Sequence, residues 1–264
     1  MKSYSEHVGA GKTAFRTDFS YDVENRPPLL TFGDTNNKVA YAYDGIGRIS
    51  SKTVTVGGRA YASSYSYVAG GHGTGSTTSL IASISQPNEA FSYTYDNVGN
   101  IASVTQNGKI TSYTYDKLGQ LTRVNDQNDT TSGAAGTTWV YTYDRGGNIL
   151  SKTRYAYTTG TLGAALQTIP YEYDDAWKDK LVKYNGVSIS YDAIGNPTSD
   201  GTWTYTWEKG RQLKQMTKSG TTAIFAYNAN GLRLRKTVGS TVTNYTLHGK
   251  NIVHMTQGSN TLHF

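Results

Sequence analysis

Four stretches of this chain are close copies of one another: Tyr41–Ile49 (YAYDGIGRI), Tyr93–Ile101 (YTYDNVGNI), Tyr113–Leu121 (YTYDKLGQL) and Tyr141–Ile149 (YTYDRGGNI). All fit the pattern Tyr-x-Tyr-Asp-x-x-Gly-x-(Ile/Leu), while the residues between them vary freely. A chain with such a period is an array of small units that stabilise one another by stacking, and it acts through the surface the array builds. The period weighs against a single catalytic cluster before any one residue is considered.

Each copy reads as strand, tight turn, strand. Side chains alternate across a strand, so Tyr41 and Tyr43, Tyr93 and Tyr95, Tyr113 and Tyr115, and Tyr141 and Tyr143 are pairs of sheet-face aromatics. Asp44, Asp96, Asp116 and Asp144 start a four-residue turn that Gly47, Gly99, Gly119 and Gly147 close. That fits a type I turn whose Asp carboxylate accepts nearby backbone N–H groups. The Ile or Leu two residues later restarts an apolar strand. Between copies, Gly57-Gly58, Asn107-Gly108, Asn185-Gly186, Ser219-Gly220 and Gly239-Ser240 split pairs of strand-like runs, and Asn-Gly is a strong hairpin signal. The expected fold is all-β: an antiparallel hairpin meander of upwards of about fifteen strands, with little helix.

Weaker copies fill the gaps. Phe19-Ser-Tyr-Asp22 has Asn25 in place of the glycine, and Asn tolerates left-handed geometry. Tyr65-Ser-Tyr67 leads into the glycine-rich run from Val68 to Ser76. Tyr171-Glu-Tyr-Asp174 continues through an expanded turn to Leu181, the one place where a short helical turn is expected. Asp192 and Gly195 keep the turn, whereas Tyr205-Thr-Trp-Glu208 and Phe225-Ala-Tyr-Asn228 are degenerate, with Gly210 and Gly231 nearby. The polar insert Gln127–Thr138 is expected to bulge out as a loop.

These residues resemble the YD repeats of Rhs proteins, found also in the shell subunits of Tc insecticidal toxins, in bacterial wall-associated proteins and in animal teneurins. The resemblance spans roughly Ala14 to Phe264. It implies hairpins joined side by side into a strip of sheet that spirals into a hollow shell, part of a secreted or cell-surface bacterial protein. In bacterial members the shell holds a C-terminal toxin segment, cut free by a core region. This sequence shows neither an Asp-Pro-x-Gly-type core nor a variable tail, so those activities are not carried over.

Composition favours a wall over a ball. The chain has 22 Tyr and only 6 Phe, and its hydrophobic fraction of 36% includes those tyrosines. A buried Tyr hydroxyl needs a partner, so repeated Tyr faces suit a curved sheet in which rings stack across strands and hydroxyls meet water. Cross-strand aromatic pairs then contribute roughly 0.2–1 kcal/mol each.

The net charge of +6 could suggest an anionic partner. The cations sit within the repeat, however: Arg48, Lys52, Arg123, Arg145, Lys152, Arg233, Arg235 and Lys236. They read as a solvated outer face that discourages edge aggregation, and no nucleic-acid-binding signature accompanies them. No apolar run approaches the ~20 residues of a membrane helix, and Met1–Lys12 is not a signal peptide. With no cysteine, disulfides and thiolate metal sites are excluded.

Candidate chemical sites are weak. Gly9-Ala-Gly-Lys-Thr13 resembles a phosphate loop, but Glu6 stands where its first glycine belongs and no strand–helix context surrounds it. Gly70-Gly-His-Gly-Thr-Gly75 reads as a flexible loop. His7, His72, His248, His254 and His263 lack tight metal spacing. The turn-start aspartates read as caps, because a general acid–base pair requires convergence in one cleft. No cofactor or metal is expected.

The sequence thus reads as one repeat array, 1–264, with a flexible lead over 1–13, repeats from about 14, and an end partway through a repeat. Its expected role is non-catalytic: a shell segment that encloses and delivers a toxin polypeptide or builds a cell-surface wall. Its partners are then the remaining repeats and core region of the parent chain, with edge-to-edge self-association where strands lie open. The alternative is a carbohydrate-binding or adhesive module, for which Trp203, Tyr205 and Trp207, all on one strand face, are the candidate glycan contacts, although packing suits them as well.

Overall fold

The computed structural model describes residues 3–6, 15–71 and 75–263. The phosphate-loop-like segment, His7 and His72 lie outside them. The described residues form twenty-five β-strands and one short 3-10 turn, Thr130–Ser132. That turn lies in the polar insert, not in the expanded turn after Asp174, where bends and hydrogen-bonded turns suffice. Asp129 caps it by accepting the Thr131 N–H at 3.0 Å.

Contacts divide the chain into two compact units. The first is Met1–Val140 with Arg154–Leu166, the second Tyr141–Thr153 with Gln167–Phe264. In the first, strands run from Ser3–Glu6, paired with Phe15–Ser20, to Leu121–Asp126 and the start of Thr137–Tyr143. Each pairs antiparallel with its neighbours in sequence. The second holds the hairpin around Asp144–Gly147, the strands Gln167–Tyr173, Leu181–Tyr184 and Val187–Ser188, and a nine-stranded sheet from Ser190–Tyr191 to Asn260–His263, again in chain order. This is the meander read from the sequence.

The turns explain the register. At Asp44 the Gly47 N–H donates to the Asp44 carbonyl at 3.0 Å, and Gly47 sits at φ 87°. A type I turn followed by a left-handed glycine forces a bulge. The bulge falls at the second aromatic of the copy: pairing shifts between Ala42 and Tyr43, Thr94 and Tyr95, Thr114 and Tyr115, Glu172 and Tyr173, and Thr206 and Trp207. At the opposite ends of the strands, Asn107-Gly108 and Asn185-Gly186 both take positive φ at each position, the two-residue hairpin geometry expected of Asn-Gly.

Among the described residues neither unit holds a conventional dry core. Among the described residues only two apolar side chains, Ala223 at 6% and Phe225 at 8% exposure, count as buried. In the first unit one sheet face carries rings and branched chains, with Tyr93 opposite Val104 and Tyr113 opposite Val124. The other carries small hydroxyls that pair across strands, Ser66 with Ser83 at 2.6 Å and Thr94 with Ser103 at 2.7 Å.

One expectation gains detail and one is corrected. The polar insert is a mostly exposed loop, as expected, but it is tied back to the strand that follows it. Asp129 accepts from Trp139 Nε1 at 2.9 Å, its carbonyl accepts the Thr137 hydroxyl at 2.6 Å, and Thr137 and Thr138 are fully buried. The repeat's cations, by contrast, are not all solvated. Arg48 lies over the Tyr67 ring at 3.8 Å while bonding Asp44, Thr77 and the Thr78 carbonyl, and Arg123 bonds Asn125 and the carbonyls of Thr158 and Gly160. A planar guanidinium with five donors is suited to such stacked, multiply bonded positions.

Candidate functional site

The junction between successive repeats is the most elaborated feature of both units, and its first half is the Asp turn. In the first unit Asp44 Oδ1 accepts the N–H groups of Ile46 at 3.1 Å and Arg48 at 2.9 Å, and Oδ2 accepts Arg48 Nε at 2.7 Å. Asp22 is held in the same way by Arg26. Asp96 uses an amide instead: Asn100 donates both its N–H and Nδ2 at 2.9 Å. Asp116 accepts the N–H groups of Leu118 and Gln120. In the second unit Asp144 with Asn148 and Asp192 with Asn196 repeat the amide form. Asp174 accepts the Ala176 and Trp177 N–H groups and faces Lys180 Nζ at 3.0 Å.

These contacts hold the carboxyls of Asp22, Asp44, Asp96, Asp144, Asp174 and Asp192 below their usual range. At Asp44 and Asp96 partial desolvation works in the other direction and is outweighed by the donors of Arg48 and Asn100. At Asp144 the Asn148 amide side chain leads, and at Asp192 the Asn196 N–H. Each of these six carboxylates is therefore ionised and held by local donors.

The second half of the junction is the second aromatic of each copy, and it corrects the expectation that Tyr hydroxyls meet water. In the first unit Tyr67 donates to the Ile49 carbonyl at 2.8 Å, Tyr95 to Ile81 at 2.8 Å and Tyr115 to Ile101 at 3.0 Å. In the second, Tyr173 donates to Ile149 at 3.0 Å, Tyr191 to Leu181 at 2.6 Å and Tyr227 to Leu213 at 3.0 Å. Ile49, Ile101 and Ile149 are the strand-restart residues of the preceding close copies.

The reason lies in backbone hydrogen bonding. Pairing between Ile101–Gln106 and Lys109–Tyr115 ends at Ser103 with Ser112, and that between Ile49–Val56 and Arg59–Ala69 ends at Ser51 with Ser64. A carbonyl just beyond the end of a ladder still needs a donor, and the Tyr hydroxyl of the next copy supplies it. Burial raises the pKa of Tyr95, Tyr115, Tyr173 and Tyr191, which keeps them as donors. Sequence reasoning missed this latch, yet a signal was present. Among the copies, Phe19 and Phe225 stand at the first aromatic position, whereas the second is Tyr or, at Trp207, another donor. Trp207 Nε1 donates to the Pro197 carbonyl at 2.6 Å.

The first aromatics do something different. Tyr41 and Tyr93 are half-buried on the sheet face, and burial raises the pKa of Tyr113 and Tyr141. Lys152 Nζ lies 5.8 Å from the Tyr141 ring. Of the candidate glycan contacts, Trp203 is half-buried beside Lys218, and Tyr205 donates to Asp200 Oδ2 at 2.6 Å. Burial first, then that bond, pushes Tyr205 up to about 12. Among the described residues no three His, Asp or Glu side chains converge as a metal site, and no helix is long and apolar enough to cross a membrane.

An all-β array whose turns are set by Asp carboxylates and whose successive hairpins are joined by ring hydroxyls is the material of a repeat-built sheet. The chain belongs to the teneurin YD-shell family, which matches residues 2–187. It is 39% identical over 130 residues to the tRNA3(Ser)-specific nuclease WapA of Bacillus spizizenii and to the tRNA nuclease WapA of Bacillus subtilis. Each match takes in 47% of this chain and only 5% of the relative. The fold is also that of part of the Photorhabdus luminescens Tc holotoxin pore, with a TM-score of 0.54 and 17% identity over 92% of this chain and 15% of that one.

Proposed function

We propose that this chain is a non-catalytic wall segment of a YD shell which, with neighbouring repeats of its parent protein, encloses a polypeptide for delivery from a secreted or surface-attached bacterial protein. The junction carries this reading. Its aspartates set the turns, and its second aromatics, Arg48 and Arg123 reach neighbouring backbone. Among the described residues no three His, Asp or Glu side chains converge as a metal site. The paired Asp and Gly of each turn, Asp44 with Gly47 through Asp192 with Gly195, act as turn formers, and the Tyr pairs act as the sheet face and its latch. Trp203, Tyr205 and Trp207 are half-buried, and Tyr205 and Trp207 donate to Asp200 and the Pro197 carbonyl, which favours the wall reading over a glycan-binding one.

The test joins the chain to the sequence that flanks it in the parent protein and digests the product with a nonspecific protease. A segment that survives there, yet is cleaved when expressed alone, is the expected result. Equal digestion of the two forms rejects enclosure, and tRNA cleavage by the 264-residue chain itself rejects the non-catalytic assignment.

A further inference from the structure

Two Asn-Gly dipeptides occupy the same place in two hairpins and differ by one contact. Asn107 and Asn185 sit at φ 48° and 49°, and both are exposed. Each donates its backbone N–H to a carbonyl on the neighbouring strand, that of Ala90 at 3.1 Å and that of Pro170 at 2.9 Å. At Asn107 there is a return contact, in which the Ala90 N–H donates to Asn107 Oδ1 at 3.0 Å. At Asn185 the return contact cannot form, because proline has no N–H. Among the described residues no hydrogen bond holds the Asn185 side chain.

The second hairpin is also the lighter one. Val187–Ser188 pairs with Leu181–Tyr184 through Tyr184 with Val187 and Lys183 with Ser188, and one further bond runs from the Ile189 N–H to the Val182 carbonyl at 2.8 Å. The Asn107 hairpin is paired from Gln106 and Lys109 down to Ser103 and Ser112. A Cβ added at either Gly108 or Gly186 would meet nothing within 4 Å, so crowding does not distinguish the two sites.

We propose that Asn185 is a site of spontaneous deamidation and that Asn107, the same dipeptide, is protected. The Gly186 nitrogen attacks Asn185 Cγ and forms the ring C–N bond. The bond from Cγ to Nδ2 breaks, and ammonia leaves carrying the proton lost by Gly186. Water then opens the cyclic imide at either carbonyl, giving aspartate or isoaspartate. Water is the only co-reactant.

Ring closure needs Cγ to swing onto the glycine nitrogen, out of the two-residue turn. A side chain pinned across the strands by Ala90 cannot do this until its hairpin opens, whereas Asn185 is tied to the neighbouring strand through its backbone alone and its side chain is left to swing. Local opening therefore sets the relative rates. The isoaspartate product adds a backbone carbon and a carboxylate to a turn whose length fixes strand register.

Peptide mapping of the folded 264-residue chain, aged at mildly alkaline pH in water enriched in heavy oxygen, tests the assignment. Label should enter residue 185 roughly tenfold faster than residue 107, and the two rates should converge once urea unfolds the chain. Pro170→Ala restores the missing N–H and should slow residue 185 toward the rate of residue 107. Equal rates in the folded wild type, a difference that survives in urea, or an unchanged rate in a folded Pro170→Ala chain each overturn it.

Discussion

Removing one hydroxyl from the latch should cost stability, while removing its neighbour two residues earlier should not. Tyr115 donates to the Ile101 carbonyl at 3.0 Å, where strand pairing has already stopped. Tyr115→Phe keeps the ring and deletes only the donor. The net value of such a bond is about 1 kcal/mol, and an abandoned carbonyl costs more the less water reaches it. Ile101 is half-buried, so the expected loss is about 1–1.5 kcal/mol. Tyr113 shares the strand and the face, and its pKa is also raised by burial, but no partner is seen for its hydroxyl among the described residues. Tyr113→Phe should therefore fall within about 0.5 kcal/mol of wild type. Urea melts followed by far-ultraviolet circular dichroism measure both, with hydrogen exchange at the Ile101–Gln106 strand as a local readout. Losses of equal size for the two variants would refute the latch and return the tyrosines to simple face packing.

Other outcomes follow from the turns and the two outlying ionisable groups. Gly186 sits at φ 79° in open space, so Gly186→Val should destabilise its hairpin by more than about 1 kcal/mol through backbone strain alone; an unchanged melt and unchanged exchange at Leu181–Ser188 would rule that out. Asp129 is lowered from 3.8 to about 2, burial opposing and the donors of Thr131 and Trp139 prevailing. Its contribution is present above pH 3.8 and lost as pH falls toward 2, so the Trp139 indole N–H resonance should shift only in that window, and a transition centred near pH 4 would contradict the contact. Tyr205 is raised from 10.0 to about 12, so its contribution is complete below pH 10 and lost as pH rises to 12. The difference in phenolate absorbance between wild type and Tyr205→Phe should appear in that upper window; ionisation at pH 10 would mean that the Asp200 bond is absent.

The strands and turns were legible because both are written locally. Asp at a turn start, glycine at its end and alternating aromatics need no distant partner, and the Asn-Gly hairpins carry their own geometry. What lay beyond reach depended on where backbone pairing ends. Nothing in Tyr-x-Tyr says that the second ring meets an orphaned carbonyl one hairpin back, unless one notices that Phe19 and Phe225 stand only at the first position. The folding back of Asp129 onto Thr137 and Trp139 was similarly hidden, because a run of polar residues looks the same whether its side chains bond to water or to each other. Arg48 and Arg123 were misread for a related reason: charge in a sequence signals exposure only when no ring or carbonyl lies within reach.

The latch accepts at main-chain oxygen, and its acceptors include Ile49, Ile81, Leu181 and Leu213 and, for Trp207, Pro197. A carbonyl is common to every amino acid, so a repeat places no demand on the identity of the residue it grips in the one before. As far as the latch is concerned, any repeat can thus follow any other, provided its second aromatic carries a hydrogen to donate. Such a chain can lengthen, shorten or exchange whole hairpins by recombination without retuning the joints, whereas the loss of a few residues within a hairpin would carry the donor past its target.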